Sequence, residues 1–68
     1  MTQNKENIKL TSVKIVKDVY SDFKKTSFDS DITLQKVVNR ALHKYVHERE
    51  FRKIINEYNN LFEHGTQF

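Results

Sequence analysis

The sequence contains no cysteine, no proline and no tryptophan, and its one glycine is Gly65. Without cysteine the chain has no disulfide, no thiolate metal site and no cysteine nucleophile. A single glycine excludes a glycine-rich phosphate loop. The chain has 68 residues, and domains of this size usually need disulfides, a metal or oligomerisation for stability. Oligomerisation is therefore the expected source of stability.

Long apolar runs are also missing. No stretch approaches the roughly 20 apolar residues of a membrane span, and residues 1–7 are polar, without the apolar core of a signal peptide. We therefore expect a soluble, cytoplasmic protein with no membrane partner. A domain this small has no cleft for paired carboxylates, so the sequence predicts no enzyme, no catalytic residues and no cofactor.

Positive charge is concentrated in two parts of the chain. Residues 1–17 carry a net charge of +3 and residues 34–53 carry +4, whereas residues 18–33 and 54–68 each carry −2. This distribution favours a polyanion such as nucleic acid as the partner. The alternative is that the charges only keep the surface of a small protein solvated.

Residues 10–15 alternate between two faces, as a β-strand does. One face is mainly apolar and β-branched and consists of Thr11, Val13 and Ile15. The other face carries a hydroxyl and an ammonium group and consists of Leu10, Ser12 and Lys14. The rest of the chain has a helical pattern, so this strand has no partner within the chain. We therefore predict an antiparallel two-stranded β-ribbon formed with a second copy.

Amphipathic helices are predicted after the strand. The first runs from Val16 to Thr26, and Phe28 in the following turn is expected to lie beneath the helices. Thr33 is a good N-cap for the second helix, whose apolar stripe is Leu34, Val37, Val38, Ala41, Leu42, Tyr45 and Val46. A further stripe from Phe51 to Phe62 is out of phase with it. Either one long helix continues, or a bend near residues 47–50 starts a third helix, which we favour.

His43 and His47 are four residues apart on the second predicted helix, a spacing that can bind zinc or nickel. Two exposed histidines without a third fixed ligand are usually solvated. We therefore predict no metal site.

Residues 11–46 together resemble the ribbon-helix-helix (Arc/MetJ/CopG-type) family of DNA-binding proteins. The resemblance is carried by the alternating strand, the amphipathic helix, the Thr33 cap and the pattern Leu-x-x-apolar-apolar-x-x-Ala-Leu-x-x-Tyr, which residues 34–45 match. Three residues depart from the family's pattern: Leu10 is apolar where a polar side chain is usual, Asp31 replaces the common glycine before the cap, and Thr26 lies at a usually apolar core position.

The resemblance implies a mostly α fold with one short strand. Two chains would intertwine as a ribbon-helix-helix homodimer around an intermolecular antiparallel two-stranded β-ribbon, with a C-terminal helical extension added. The expected divisions are a flexible N-terminal arm over residues 1–8, the ribbon-helix-helix domain over residues 9–46, and the helical extension with a frayed end over residues 47–68.

The resemblance also implies site residues, because the family inserts its ribbon into the DNA major groove. The base-contacting residues would be Leu10, Ser12 and Lys14, and the phosphate-contacting residues would be Lys9, Thr33 and Leu34. The dimer core would contain the apolar positions of the strand and of both helices: Val13, Ile15, Val19, Phe23, Leu34, Val37, Val38, Ala41, Leu42 and Tyr45.

The implied function is that of a dimeric, sequence-specific binder of double-stranded DNA, a nucleoid-associated transcriptional repressor of plasmid or phage type, with dimers of dimers as a further assembly on DNA. The alternative is an antitoxin, or a plasmid partition or relaxosome accessory protein, that binds a protein partner through residues 47–68. The simpler role for that C-terminal part is to cover the dimer core.

Overall fold

The computed structural model describes residues 7–68, so most of the predicted arm over residues 1–8 lies outside the described range. Three α-helices follow in chain order: α1 (Lys17–Thr26), α2 (Leu34–His47) and α3 (Arg49–Glu57). A short 3-10 helix, Phe62–His64, comes after them. Among the helices of this range only α2 and α3 pack directly on each other.

The predicted strand over residues 10–15 is wrong. These residues have no regular secondary structure, and no strand occurs within residues 7–68. The ribbon-helix-helix fold with its β-ribbon is therefore contradicted, because the described chain is all-helical. The physical reason is that a strand needs a partner for its backbone N–H and C=O groups, and the chain supplies none. Leu10 and Val13 remain 97% and 70% exposed.

Helix α1 confirms the first predicted helix, beginning one residue later than expected. Asp18 in its first turn and two lysines in its last turn are placed favourably for the helix dipole. Ser27 follows the helix as its C-cap and donates two hydrogen bonds to the carbonyl of Phe23, from its N–H at 2.9 Å and from its hydroxyl at 2.8 Å. The hydroxyl thus gives a carbonyl in the last turn a second donor.

Thr33 caps helix α2, as predicted. Its backbone is extended, and its Oγ1 accepts a hydrogen bond from the N–H of Lys36 at 3.1 Å. Such a cap is worth about 1 kcal/mol because the first N–H groups of a helix have no intrahelical partner. The Nζ of Lys36 donates to the carbonyl of Asp31 at 3.1 Å, which ties the preceding turn to the helix.

A bend at Glu48 separates α2 from α3. Glu48 is the single non-helical residue between them, with φ −117° and ψ 107°, so the predicted bend near residues 47–50 is confirmed. The cause is the phase of the two apolar stripes. The stripe of α3 is rotated about the helix axis by about a third of a turn relative to the stripe of α2. A straight helix would direct the two stripes to different sides. Helix α3 ends at Glu57, earlier than the predicted end near Phe62.

The Arg52 side chain replaces the backbone hydrogen bonds that the bend removes. In a straight helix, the carbonyls of Tyr45 and Val46 would accept the N–H groups of the residues four positions later. Here the Nε of Arg52 donates to the carbonyl of Tyr45 at 3.0 Å, and its Nη2 donates to the carbonyl of Val46 at 2.8 Å. One guanidinium group therefore caps the end of α2 from within α3.

Side-chain contacts add to this junction. The Tyr45 hydroxyl donates to the Oδ1 of Asn56 at 2.7 Å, and the Arg52 guanidinium lies 5.9 Å from the centroid of the Tyr45 ring. The Nζ of Lys44 in α2 also lies 5.4 Å from the centroid of the Phe51 ring in α3. These contacts fix the angle between the two helices.

The hydrophobic core is small, because no side chain within residues 7–68 is fully buried. The prediction that Phe28 lies beneath the helices is wrong, since it is exposed. The best-covered apolar side chains are only half-buried; those in the helices are Phe23, Leu34, Val37, Ala41, Tyr45 and Phe51. What holds the described chain together is mainly the junction of α2 with α3.

We expect Arg52→Ala to lower the free energy of unfolding by about 1–3 kcal/mol, because two charge-assisted hydrogen bonds are lost at once. Urea unfolding followed by circular dichroism measures this change. The matched control is Arg49→Ala, since Arg49 is in the same helix and makes no side-chain hydrogen bond within residues 7–68. Equal losses in the two variants would contradict the capping role.

Candidate nucleic-acid interface and apolar faces

Residues 7–17, called here the basic segment, carry positive charge without compensation. They include Lys9, Lys14 and Lys17 and no acidic residue. The ion pairs found within residues 7–68 are Lys44–Glu48 and His64–Glu63. The three lysines therefore have no acidic partner among the described residues.

The predicted base-contacting residues all lie in the basic segment. Leu10, Ser12 and Lys14 are exposed, and so is Lys9, the predicted phosphate contact. The structure brings these side chains into one short stretch but does not place them on the face of a strand. Their contacts with bases and phosphates stay predictions.

Helix α2 presents a second group of basic side chains. At 3.6 residues per turn, five of them share about a third of its circumference: Lys36, Arg40, His43, Lys44 and His47. The Nζ of Lys44 is held by the Oε1 of Glu48 at 2.8 Å, whereas Arg40 has no acidic partner within residues 7–68. The imidazole rings of His43 and His47 lie with their centroids 4.2 Å apart. This side of α2 is suited to an anionic surface.

Thr33 and Leu34, predicted to contact a phosphate, lie at the start of α2. The Thr33 hydroxyl is already used as the acceptor of the helix cap, and Leu34 is half-buried. The N–H groups of the first turn are still suitable donors to an anion. The phosphate contact stays a prediction.

An exposed apolar stripe occupies a further side of α2. Val38, Leu42 and Val46 follow one another at intervals of four residues, and the last two are 60% and 62% exposed. The neighbouring side, with Val37 and Ala41, is half-buried. The predicted dimer-core residues are therefore either half-buried or exposed in the single chain.

The accessible surface of the chain is larger than that of a compact monomer. It measures 7035 Å², whereas a compact monomer of 8.2 kDa is expected to expose about 4,500 Å². The radius of gyration is 14.3 Å, against about 11 Å for a compact domain of this length. The chain thus exposes about 2,500 Å² more surface than a compact monomer of its mass.

Metal ligands do not gather in the described part of the chain. No group of three or more histidine, cysteine or acidic residues that could hold a metal ion is found within residues 7–68. The pair of His43 and His47 is thus not joined there by a third ligand.

Residues 7–68 contain no helix with both the length and the apolar character that a membrane span requires.

Comparisons of the chain with protein-family models, with curated proteins and with solved structures found no match.

Sequence reasoning missed Arg52 and the exposed face of α3. The phase shift between the two stripes indicated a bend, but not which side chain would cap it. Ile54 and Phe62 lie in the stripe that is predicted to cover the dimer core, and in the single chain they are 60% and 75% exposed. The spacing of these side chains predicts a helix, but it does not indicate what their apolar side contacts.

We expect the midpoint of thermal unfolding to rise with protein concentration, because association with a second copy stabilises only the folded chain. Leu42→Asp should leave the chain unfolded at every concentration, since an unpaired charge buried in the predicted dimer core costs several kcal/mol. Circular dichroism melts over a wide range of concentrations, with sedimentation analysis, test both statements.

The control for that substitution is His43→Asp, which adds the same negative charge one residue further on, on the basic side of α2. It should keep the concentration dependence. A melting midpoint of the unsubstituted chain that does not change with concentration would contradict the predicted self-association.

Proposed function

We propose that this chain is a homodimeric protein that binds double-stranded DNA, a transcriptional repressor of plasmid or phage type that acts in the cytoplasm at the nucleoid. It acts by binding and not by catalysis. The observation that carries the proposal is the basic segment, in which Lys9, Lys14 and Lys17 are exposed and have no acidic partner among the described residues. Uncompensated lysines of this kind neutralise phosphates and release counterions.

The proposed reading element is the basic segment itself, without a β-ribbon. Arms that lack secondary structure reach into the minor groove in several classes of DNA-binding protein, whereas this segment is proposed to enter the major groove. Lys14 can donate to O6 and N7 of guanine, Ser12 can bond to several bases, and Leu10 can contact a thymine methyl group. Lys9 and the start of α2 at Thr33 and Leu34 are proposed to contact phosphates.

The homodimer is supported by the excess accessible surface of the chain and by the exposed stripe of Val38, Leu42 and Val46. A two-fold assembly also doubles the DNA contacts, since each copy contributes its own basic segment and its own helix α2. Dimers commonly match their symmetry to two half-sites on DNA. A pseudo-palindromic operator is therefore the expected target.

A second candidate function is supported by the exposed apolar side chains of residues 47–68. Ile54, Ile55, Tyr58 and Phe62 are all exposed there, and a face of this kind fits a protein groove that takes an amphipathic helix. The chain would then be an antitoxin, or a plasmid partition or relaxosome accessory protein, and would still bind DNA through the basic segment.

We expect Lys14→Ala and Ser12→Ala to weaken binding to the preferred DNA sequence by about 1–3 kcal/mol per good base contact, and by more in a dimer that uses each contact twice. Binding to a scrambled duplex should change little. Fluorescence anisotropy with a sequence selected from a random pool, and with its scrambled form, measures the difference.

The matched control is Lys25→Ala, which removes an exposed lysine from the last turn of α1. If it lowers the preference for the selected sequence as much as Lys14→Ala does, the basic segment is not the reading element. If neither duplex is bound at low salt, the proposed function is wrong.

Salt provides an independent test. If Lys9 and Lys17 of both copies contact phosphates, the logarithm of the binding constant should fall with the logarithm of the salt concentration with a slope of about −4. Lys9→Ala should reduce this slope equally on the selected and the scrambled duplex. A binding constant that does not depend on salt would contradict phosphate contacts by these lysines.

A further inference from the structure

We propose that Leu61 and Phe68 are positioning residues for DNA binding, because they hold the inner end of the basic segment in place at the start of α1. This role rests on the proposed function and adds two residues that act on Ser12 and Lys14 without contacting DNA themselves. Both residues belong to residues 58–68, called here the tail, which follow α3.

A cleft of about 280 Å³ lies between the tail and the start of α1. Lys14 and Ile15 line it from the basic segment, and Leu61 and Phe68 line it from the tail. Val16 and Phe68 line this cleft and also a second one beside it. The tail therefore lies along the point at which the basic segment leads into α1.

The apolar side chains of the basic segment become less exposed towards the tail. Leu10 is 97% exposed, Val13 70% and Ile15 37%, and Val16 is half-buried. This decrease coincides with the cleft, whose lining on the side of the basic segment begins at Lys14. The inner end of the segment is thus covered where the tail is near, and apolar burial of this kind stabilises a contact.

The tail reaches the cleft through a series of turns. The N–H of Gly65 donates to the carbonyl of Phe62 at 2.9 Å, and the N–H of Phe68 donates to the carbonyl of Gly65 at 3.2 Å. Gly65 has φ 116° and ψ 161°, a conformation that is essentially restricted to glycine. The one glycine of the chain therefore lies at the turn that brings Phe68 to the cleft that Leu61 also lines.

The tail matters for DNA binding because α1 packs on no other helix within residues 7–68, where α2 and α3 alone pack directly on each other. The tail continues from α3, which Arg52 joins to α2. Its contact with the basic segment therefore fixes that segment relative to the basic side of α2. A segment that is already held loses less conformational entropy on binding, so the affinity for DNA is higher.

The first test uses limited trypsin digestion of the full chain and needs no DNA. The bond after Lys14 lies at the cleft and the bond after Lys9 lies outside it, so the ratio of the two cleavage rates reports local opening at the cleft. Leu61→Ser and Phe68→Ser should each raise the rate after Lys14, relative to that after Lys9, by about fivefold. Leu61→Met should leave this ratio unchanged, because it conserves apolar volume.

Phe62→Ser is the matched control, since Phe62 is adjacent to Leu61, is 75% exposed and lines neither cleft. It should leave the cleavage ratio unchanged. Gly65→Ala is an independent variant, because its added Cβ meets no described atom within 4 Å and so acts only through the backbone. It should raise the ratio. An equal rise in Phe62→Ser, or no rise in Leu61→Ser and Phe68→Ser, would overturn the proposal.

Circular dichroism must show unchanged helix content in each variant. A variant that loses helix content is replaced by Leu61→Ala or Phe68→Leu, for which a smaller rise in the cleavage ratio is expected. An unchanged ratio in these replacements also overturns the proposal.

The second test measures binding to the selected DNA sequence by fluorescence anisotropy. Leu61→Ser should weaken this binding by about tenfold, because the segment must then be ordered during binding. The salt dependence should keep its slope, since no phosphate-contacting side chain is removed. Leu61→Met should bind as tightly as the unsubstituted chain. A reduced slope, or an affinity that Leu61→Ser leaves unchanged, would contradict a positioning role.

The two tests distinguish failure of this role from failure of the proposed function. Sequence preference that is lost in Lys14→Ala, together with a cleavage ratio and an affinity that Leu61→Ser does not change, would keep the proposed function and reject the positioning role. A raised cleavage ratio in a chain that binds neither duplex at low salt would keep the tail contact and reject the proposed function.

Discussion

The contact of Arg52 with the last turn of α2 is the interaction on which the described structure depends most. It joins the only two helices that pack directly against each other within residues 7–68, and it does so where the backbone ladder is interrupted at Glu48. A break without such a cap would leave the carbonyls of Tyr45 and Val46 without a protein donor. The bend is therefore tolerable because a single side chain supplies both hydrogen bonds.

The same junction leaves apolar surface uncovered on both helices. By turning α3 away from the line of α2, the bend creates two apolar faces that do not cover each other completely. Leu42 on α2 and Ile54 on α3 are both 60% exposed. With no fully buried side chain among the described residues, the hydrophobic contribution to stability within one chain is small. The proposed homodimer would add burial that one chain lacks.

Local chemistry made a good part of the fold predictable from the sequence. Thr33 was recognised as a cap because a hydroxyl before an apolar helical stripe satisfies a nearby N–H group, and α1 and α2 were recognised from periodicity. The bend followed from the phase of two stripes. These inferences succeeded because each depends on residues within a few positions of one another.

The strand was predicted wrongly because alternation describes only which side chains share a face. Whether residues 10–15 pair depends on a partner that the alternation does not supply. Arg52 could not be identified for a related reason, since its acceptors become available only after the chain has bent. For the candidate site, the sequence indicated which residues are basic, and the exposure of Lys9, Ser12 and Lys14 agrees with that interpretation. Their contacts with DNA depend on a complex and cannot be read from one chain.

The Arg52 cap also bears on how the protein can change during evolution. Its two hydrogen-bond acceptors are backbone carbonyls, which every amino acid at positions 45 and 46 provides. Only the contacts with the Tyr45 side chain depend on the residue type there. Substitutions at Val46 can therefore alter the exposed surface of α2 without removing the hydrogen bond that its backbone accepts. The angle between α2 and α3 is thus protected from much of the sequence drift that can diversify the surfaces on either side of it.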